Sequence, residues 1–287
     1  MDTIKKGIQN LSSQLRHLAS RVKENELTAL AAQSTYYLIL SFFPFLIFLI
    51  TLISYTPLLQ DDVLFELRPF LPEEAFQMVM RNVRQIIGMR SGTLMSTGML
   101  TTVFLASNGV AAMLRGINKA YHSQEKRPFW KVRGMALLFT LALTLTILMA
   151  LMMLVFGQLI GTFVFDLVEL PDIVRIIWGW TRIGGSLAAM ILVFTLLYRF
   201  SPNRQVTLRD SFPGAIFATI SWLIMSYGFS YYVNHFGNYS VTYGSIGAII
   251  ILLVWLYLSS VVILLGAEIN AWRMHEKKRR MDSEVAD

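Results

Sequence analysis

From Ser211 to Ala267 the chain carries no Asp, Glu, Lys or Arg. A run this long is too apolar for one side of a soluble core. A helix needs about 20 mostly apolar residues to cross the hydrocarbon of a bilayer. The run therefore holds two crossings, and it divides at Asn234-His235-Phe236-Gly237-Asn238-Tyr239-Ser240, which is rich in turn formers. Four further uncharged stretches contain Leu38–Tyr55, Ser91–Leu114, Gly134–Phe165 and Ile183–Tyr198. The predicted architecture is all-α, a polytopic membrane bundle with spans at about 36–55, 93–114, 134–160, 178–199, 211–234 and 244–271. Composition agrees: charged residues make up 15% of the chain and mean hydropathy is +0.54, against roughly 25% charged in soluble domains.

The connections between spans predict an orientation, because Lys and Arg collect on the cytoplasmic side. Nineteen of the 25 basic residues fall before the first span, between spans two and three, between four and five, and after the sixth. The other side holds Arg68, Arg81, Arg84, Arg90, Arg175 and Arg182, with eight acids. Both termini are thus expected in the cytoplasm, and the bias accounts for the net charge of +7 without nucleic acid. Residues 1–26 contain no continuous apolar run, so no cleavable signal peptide is read there. Ile4, Ile8, Leu11, Leu15, Leu18 and Val22 instead form one stripe, as in a helix lying on a membrane surface; a short coiled coil has the same spacing. A second amphipathic segment follows Pro72, with Phe76, Val79, Met80, Val83 and Ile87 on one face. Residues 273–287 form a basic tail.

Polar groups within spans are the candidates for function. Pro44 interrupts the first span, leaving the Leu40 carbonyl without its helical donor, and Ser41 is placed to satisfy a freed group. Gln33, Tyr37 and Ser41 make a polar stripe; Thr97, Thr101 and Asn108 make another; Tyr257, Ser260 and Glu268 a third. Such stripes either line a shared cavity or hold the bundle together by interhelical hydrogen bonds. Glu268 is the sharpest signal, since an intramembrane acid must pair or face water. It lies about one turn from Arg273, so it reads either as a functional acid or as an interfacial salt bridge or anchor. Arg182 is its counterpart toward the outer end of the fourth span. With Tyr243, these residues form the candidate cavity or substrate path. Gly157 with Gly161, the Gly184–Ala189 cluster, and Gly244, Gly247 and Ala248 are read as close helix approaches.

The chain has no cysteine and only four scattered histidines. It has no phosphate-binding loop, nucleophile elbow, metal-ligand cluster or dinucleotide fingerprint. No catalytic residue, metal or cofactor is therefore expected.

Several blocks carry a family resemblance. They are Ala31-Ala32 through Leu40-Ser41-Phe42-Phe43-Pro44-Phe45-Leu46, and Ser107-Asn108-Gly109 through Gly116-Ile117-Asn118-Lys119-Ala120-Tyr121. Next come Tyr198-Arg199-Phe200-Ser201-Pro202-Asn203, Asp210 with Pro213-Gly214-Ala215, and Thr242-Tyr243-Gly244-Ser245-Ile246-Gly247-Ala248. The last are Leu253-Val254-Trp255-Leu256-Tyr257 and Gly266-Ala267-Glu268-Ile269-Asn270. In their order and spacing they resemble the YihY/virulence factor BrkB family, though Ser201 stands where an apolar residue is common in relatives. The resemblance implies a bacterial inner-membrane protein with six helices. Members often carry a ribonuclease BN label, which fits poorly with a chain lacking metal-binding His and Asp. It implies no catalytic residues. Two functional readings follow: a transporter or flippase-like carrier of an amphipathic or lipid-linked substrate, or a membrane scaffold for envelope machinery. Membrane lipids are the expected partners, with no nucleic acid.

Overall fold

The computed structural model describes residues 20–54, 91–146, 149, 171–236 and 246–286. Every regular element among them is helical. A short turn of helix over 20–24 precedes six long helices: α1 (Leu27–Ser54), α2 (Gly92–Ala120), α3 (Phe129–Thr146), α4 (Asp172–Phe200), α5 (Leu208–Phe236) and α6 (Ile246–Ala286). All six are long and apolar enough to cross a membrane. The described part of α3, Phe129–Thr146, has 18 residues, about 27 Å at 1.5 Å per residue against roughly 30 Å of hydrocarbon.

The helices end where local chemistry lets them. Ser91 caps α2 by accepting the Leu94 N–H at 3.2 Å. At α5, Thr207 caps the helix by accepting the Asp210 N–H at 3.3 Å, and it donates its hydroxyl to the Asp210 carboxylate at 2.6 Å. Before α1, Glu26 takes a left-handed φ of 50°, turning the chain from the 20–24 segment into the first span.

The chain divides into two compact units, Met1–Tyr36 with Ser107–Asp287, and Tyr37–Ala106. In the smaller unit, the later part of α1 meets the first part of α2 at Gly98. A Cβ there would stand 3.1 Å from the Phe48 nitrogen and 3.2 Å from the Pro44 carbonyl oxygen. Helix α1 continues through Pro44 to Ser54. Ser41 donates to the Leu38 carbonyl at 2.7 Å, not to the Leu40 carbonyl that Pro44 leaves without its helical donor.

In the larger unit α5 packs between α4 and α6. Its core lies toward one end of the spans, with Leu114, Ile117, Tyr121, Leu197, Tyr198 and Leu264 fully buried. Along the spans, large apolar side chains such as Leu138, Ile224 and Tyr227 stay exposed. In water so much apolar surface would drive aggregation, whereas hydrocarbon solvates it.

The close helix approaches are at Gly116, Gly214 and Gly266. At Gly184, expected from the sequence to mark one, a Cβ would meet nothing within 4 Å among the described residues. Gly157, Gly161 and Gly244 lie outside the described residues, as do the amphipathic segment after Pro72 and most of the N-terminal stripe.

Candidate functional site

Glu268 on α6 is fully buried. Arg21, from the segment before α1, donates Nε to its Oε1, and Asn25 donates Nδ2 to its Oε2 at 3.1 Å. Both carboxylate oxygens are therefore satisfied. Arg21 also donates Nη2 to the Ala120 carbonyl at 3.1 Å, occupying one of the carbonyls left open at the end of α2. One guanidinium thus ties the chain before the first span to the end of α2 and to the middle of α6. Arg273, the neighbour in sequence, is exposed. Isolated in hydrocarbon, either charge would be costly.

Next to this ion pair α6 crosses α5 at backbone distance, and a tyrosine of α4 reaches the same point with its side chain. A Cβ on Gly266 would lie 2.5 Å from the Tyr198 hydroxyl oxygen and 2.8 Å from the Gly214 carbonyl oxygen. The buried Tyr198 hydroxyl donates to the Ile263 carbonyl at 2.7 Å. Asn270 completes the crossing: its Oδ1 accepts the Gly214 N–H at 2.7 Å and its Nδ2 donates to the Ser211 carbonyl at 2.8 Å. Those two groups flank Pro213, whose ring disturbs the helical ladder at the start of α5. One amide side chain thus supplies a donor and an acceptor to the backbone of α5.

The connections at this end are tied by a second buried amide. Asn118 Oδ1 accepts the Asn203 N–H at 2.8 Å, and its Nδ2 reaches Glu125 Oε2 at 3.1 Å and the Ser201 carbonyl at 3.4 Å. Arg127 grips Glu125 with two nitrogens, at 2.7 and 2.6 Å, and also donates to the Ser201 carbonyl at 2.6 Å. Hydrogen bonding from Arg127 holds the Glu125 carboxyl below the usual carboxylate range. Lys119 does the same to the exposed Glu26. Burial pushes the Tyr121 hydroxyl well above the ordinary phenol range.

The other sequence candidates fall in different places. Gln33 accepts from Arg115 at 3.1 Å, linking α1 and α2, and Asn108 accepts from Arg133, linking α2 and α3. Thr97 bonds the Thr93 carbonyl of its own helix, and Thr101 is exposed. Tyr37 and Tyr257 are half-buried, while Ser260 is fully buried with no hydrogen-bond partner for its hydroxyl among the described residues. Tyr243 and the side chain of Arg182 lie outside the described residues. Of the twelve candidates, Glu268 alone enters the buried ion pair.

Sequence reasoning did not select Arg21, Asn25, Asn118, Arg127 or Asn270. Arg21 carried a signal, since a lone intramembrane acid demands a cation from some segment ending on the same side. Asn118 and Asn270 did stand inside the quoted motif blocks. Those blocks are far apart in the chain, yet they meet here: Asn118 with 201–203, Tyr198 with Gly266, and Gly214 with Gly266 and Asn270.

A family model described as virulence factor BrkB matches residues 18–286. The ribonuclease-like protein YfkH of Bacillus subtilis is 43% identical over 268 residues, covering 93% of this chain and 97% of that protein. A UPF0761 membrane protein of Alteromonas mediterranea is 29% identical, covering 93% of this chain and 91% of its own length. Another from Tolumonas auensis is 27% identical over 281 residues. No solved structure matches.

Proposed function

The chain belongs to the virulence factor BrkB family, as a multi-pass membrane protein, and from that premise we propose that it is a carrier for an amphipathic or lipid-linked substrate. In this reading it sits in the bacterial inner membrane with both termini in the cytoplasm. The observation that carries the reading is the Arg21–Glu268 pair, buried at one end of the larger unit. Apolar packing would stabilise a static bundle as well or better, because burying two ions costs several kcal/mol of hydration each. An ion pair differs from apolar packing in one respect: its partners regain that hydration when they separate. A contact between the segment before α1 and Glu268 of α6 can therefore close that end of the unit dry and open it wet, as alternating access requires. The scarcity of other charges along the spans favours a substrate with a large apolar part.

The test is movement of headgroup-labelled fluorescent phospholipid across vesicles reconstituted with the full chain. Movement above that of protein-free vesicles is expected, with a changed rate for E268Q and R21Q. Rates equal to empty vesicles for the wild-type chain, over zwitterionic and anionic compositions, would refute the carrier reading. Labelled RNA added to the same purified protein tests the name carried by YfkH. Cutting that needs a metal and survives purification from contaminating nuclease would put an enzymatic reading in place of this one.

A further inference from the structure

Two open clefts lie along the connection between α4 and α5. One, of about 640 Å³, is lined by Arg199, Arg204 and Arg209 together with Phe200, Thr207, Leu208 and their neighbours. The other, of about 370 Å³, shares Arg204 and adds Lys126. Among the described residues no Asp or Glu lines either cleft. Among the described residues no carboxylate stands within 4.0 Å of the three arginine side chains. Arg204 spends one nitrogen on the Tyr121 carbonyl at 3.3 Å, and Arg199 lies over the Phe200 ring at 5.2 Å. The nearest acid in sequence, Asp210, is engaged by the Thr207 hydroxyl at 2.6 Å, with Lys277 at 3.9 Å.

The depth of the larger cleft follows from the spans. The apolar stretch of α4 ends at Phe200, and that of α5 begins at Leu208. The arginines therefore stand where hydrocarbon gives way to headgroups. Phe200, Leu208 and Phe212 are exposed beside them, so a basic recess adjoins a bare apolar wall. Phe129 and Trp130, exposed at the start of α3, suit the same interface.

We infer that this cleft is a binding site for the phosphate headgroup of an anionic membrane lipid. Arg199, Arg204 and Arg209 take the phosphate oxygens, and Phe200 and Leu208 border the first carbons of the acyl chains. Guanidinium groups suit this role because their planar forks match phosphate oxygens in pairs. A diffuse surplus of basic side chains attracts an anionic leaflet without choosing a lipid. Three arginines around one acid-free recess define a site of fixed stoichiometry. As the substrate class of a carrier, the inference rests on the reading above; as a lipid site, it is measured apart from transport.

The full chain is purified in neutral detergent at physiological ionic strength, and bound phosphatidylglycerol and phosphatidylcholine are counted by native mass spectrometry. Phosphatidylglycerol is expected to bind at defined stoichiometry and phosphatidylcholine is not. In R199Q/R204Q/R209Q the binding weakens at least about tenfold. A control that removes equal charge at the same end, K23Q/K131Q/R279Q, loses less than about threefold at this ionic strength. R199Q/R209Q leaves Arg204 and its backbone contact in place, and it serves as the reading if the triple variant does not elute as a folded protein. Unchanged binding in a folded cleft variant, or equal losses in cleft and control variants, would overturn the site. Displacement of the lipid by inorganic phosphate at matched ionic strength would overturn a lipid in favour of a free anion. If lipid binds at the cleft but does not move between leaflets, the carrier reading fails and the site stands. If labelled lipid moves while the cleft variants bind as wild type, the reverse holds.

Discussion

At the scale of single residues, the energetics concentrate on Glu268 and its donors. Arg21 and Asn25 satisfy both carboxylate oxygens within a region closed to water. Removing one ion of such a pair strands the other, and that is far more costly than removing both. R21M is therefore expected to lower unfolding stability in detergent by about 3–5 kcal/mol, and R21M/E268L to restore most of the loss. Unfolding of the wild type, both single variants and the double variant completes the cycle. Additive losses would show that the two side chains do not act as a pair. Glu268 was visible in the sequence as an acid inside apolar sequence, because bilayer cost is a local property. Its partner was not, since Arg21 lies 247 positions away and nothing local links the two.

At the scale of elements, the crossing of α4, α5 and α6 depends on two glycines and one amide. A methyl group on Gly266 would press on the Gly214 carbonyl and the Tyr198 hydroxyl, both in buried residues and the second held by its bond to the Ile263 carbonyl. G266A should lower stability by about 1–3 kcal/mol through overpacking. G184A is the contrasting change, because a Cβ on that residue of α4 meets nothing. It should be neutral or stabilising by about 0.5–1 kcal/mol, as expected for a helical glycine replaced by alanine. Thermal unfolding in the same detergent compares them, and an equal fall for both would remove the close-approach argument. The sequence drew attention to small residues in general. Which of them face another backbone is set by helix rotation, which a single uncapped apolar stretch does not encode.

At the scale of the molecule, an even number of candidate spans, with Lys and Arg gathered in alternate connections, predicts both chain ends on the cytoplasmic face. The chain contains no cysteine, so D2C and D287C each provide a single labelling site. Neither should react with an impermeant maleimide until the membrane is opened; labelling of only one end from outside would contradict the even number of spans. The positions and number of the apolar stretches were legible because hydrocarbon rejects charged side chains wherever they occur. Each stretch thus reports its own solvent without reference to the rest. The fold class and the membrane setting followed from the sequence alone for that reason. The choice of partners was decided only by the tertiary structure: Arg21 for Glu268, Asn270 for the start of α5, and Asn118 for the 201–203 turn. Pairing of buried polar groups depends on which distant segments end at the same depth and with which faces turned together, and those are properties of packing.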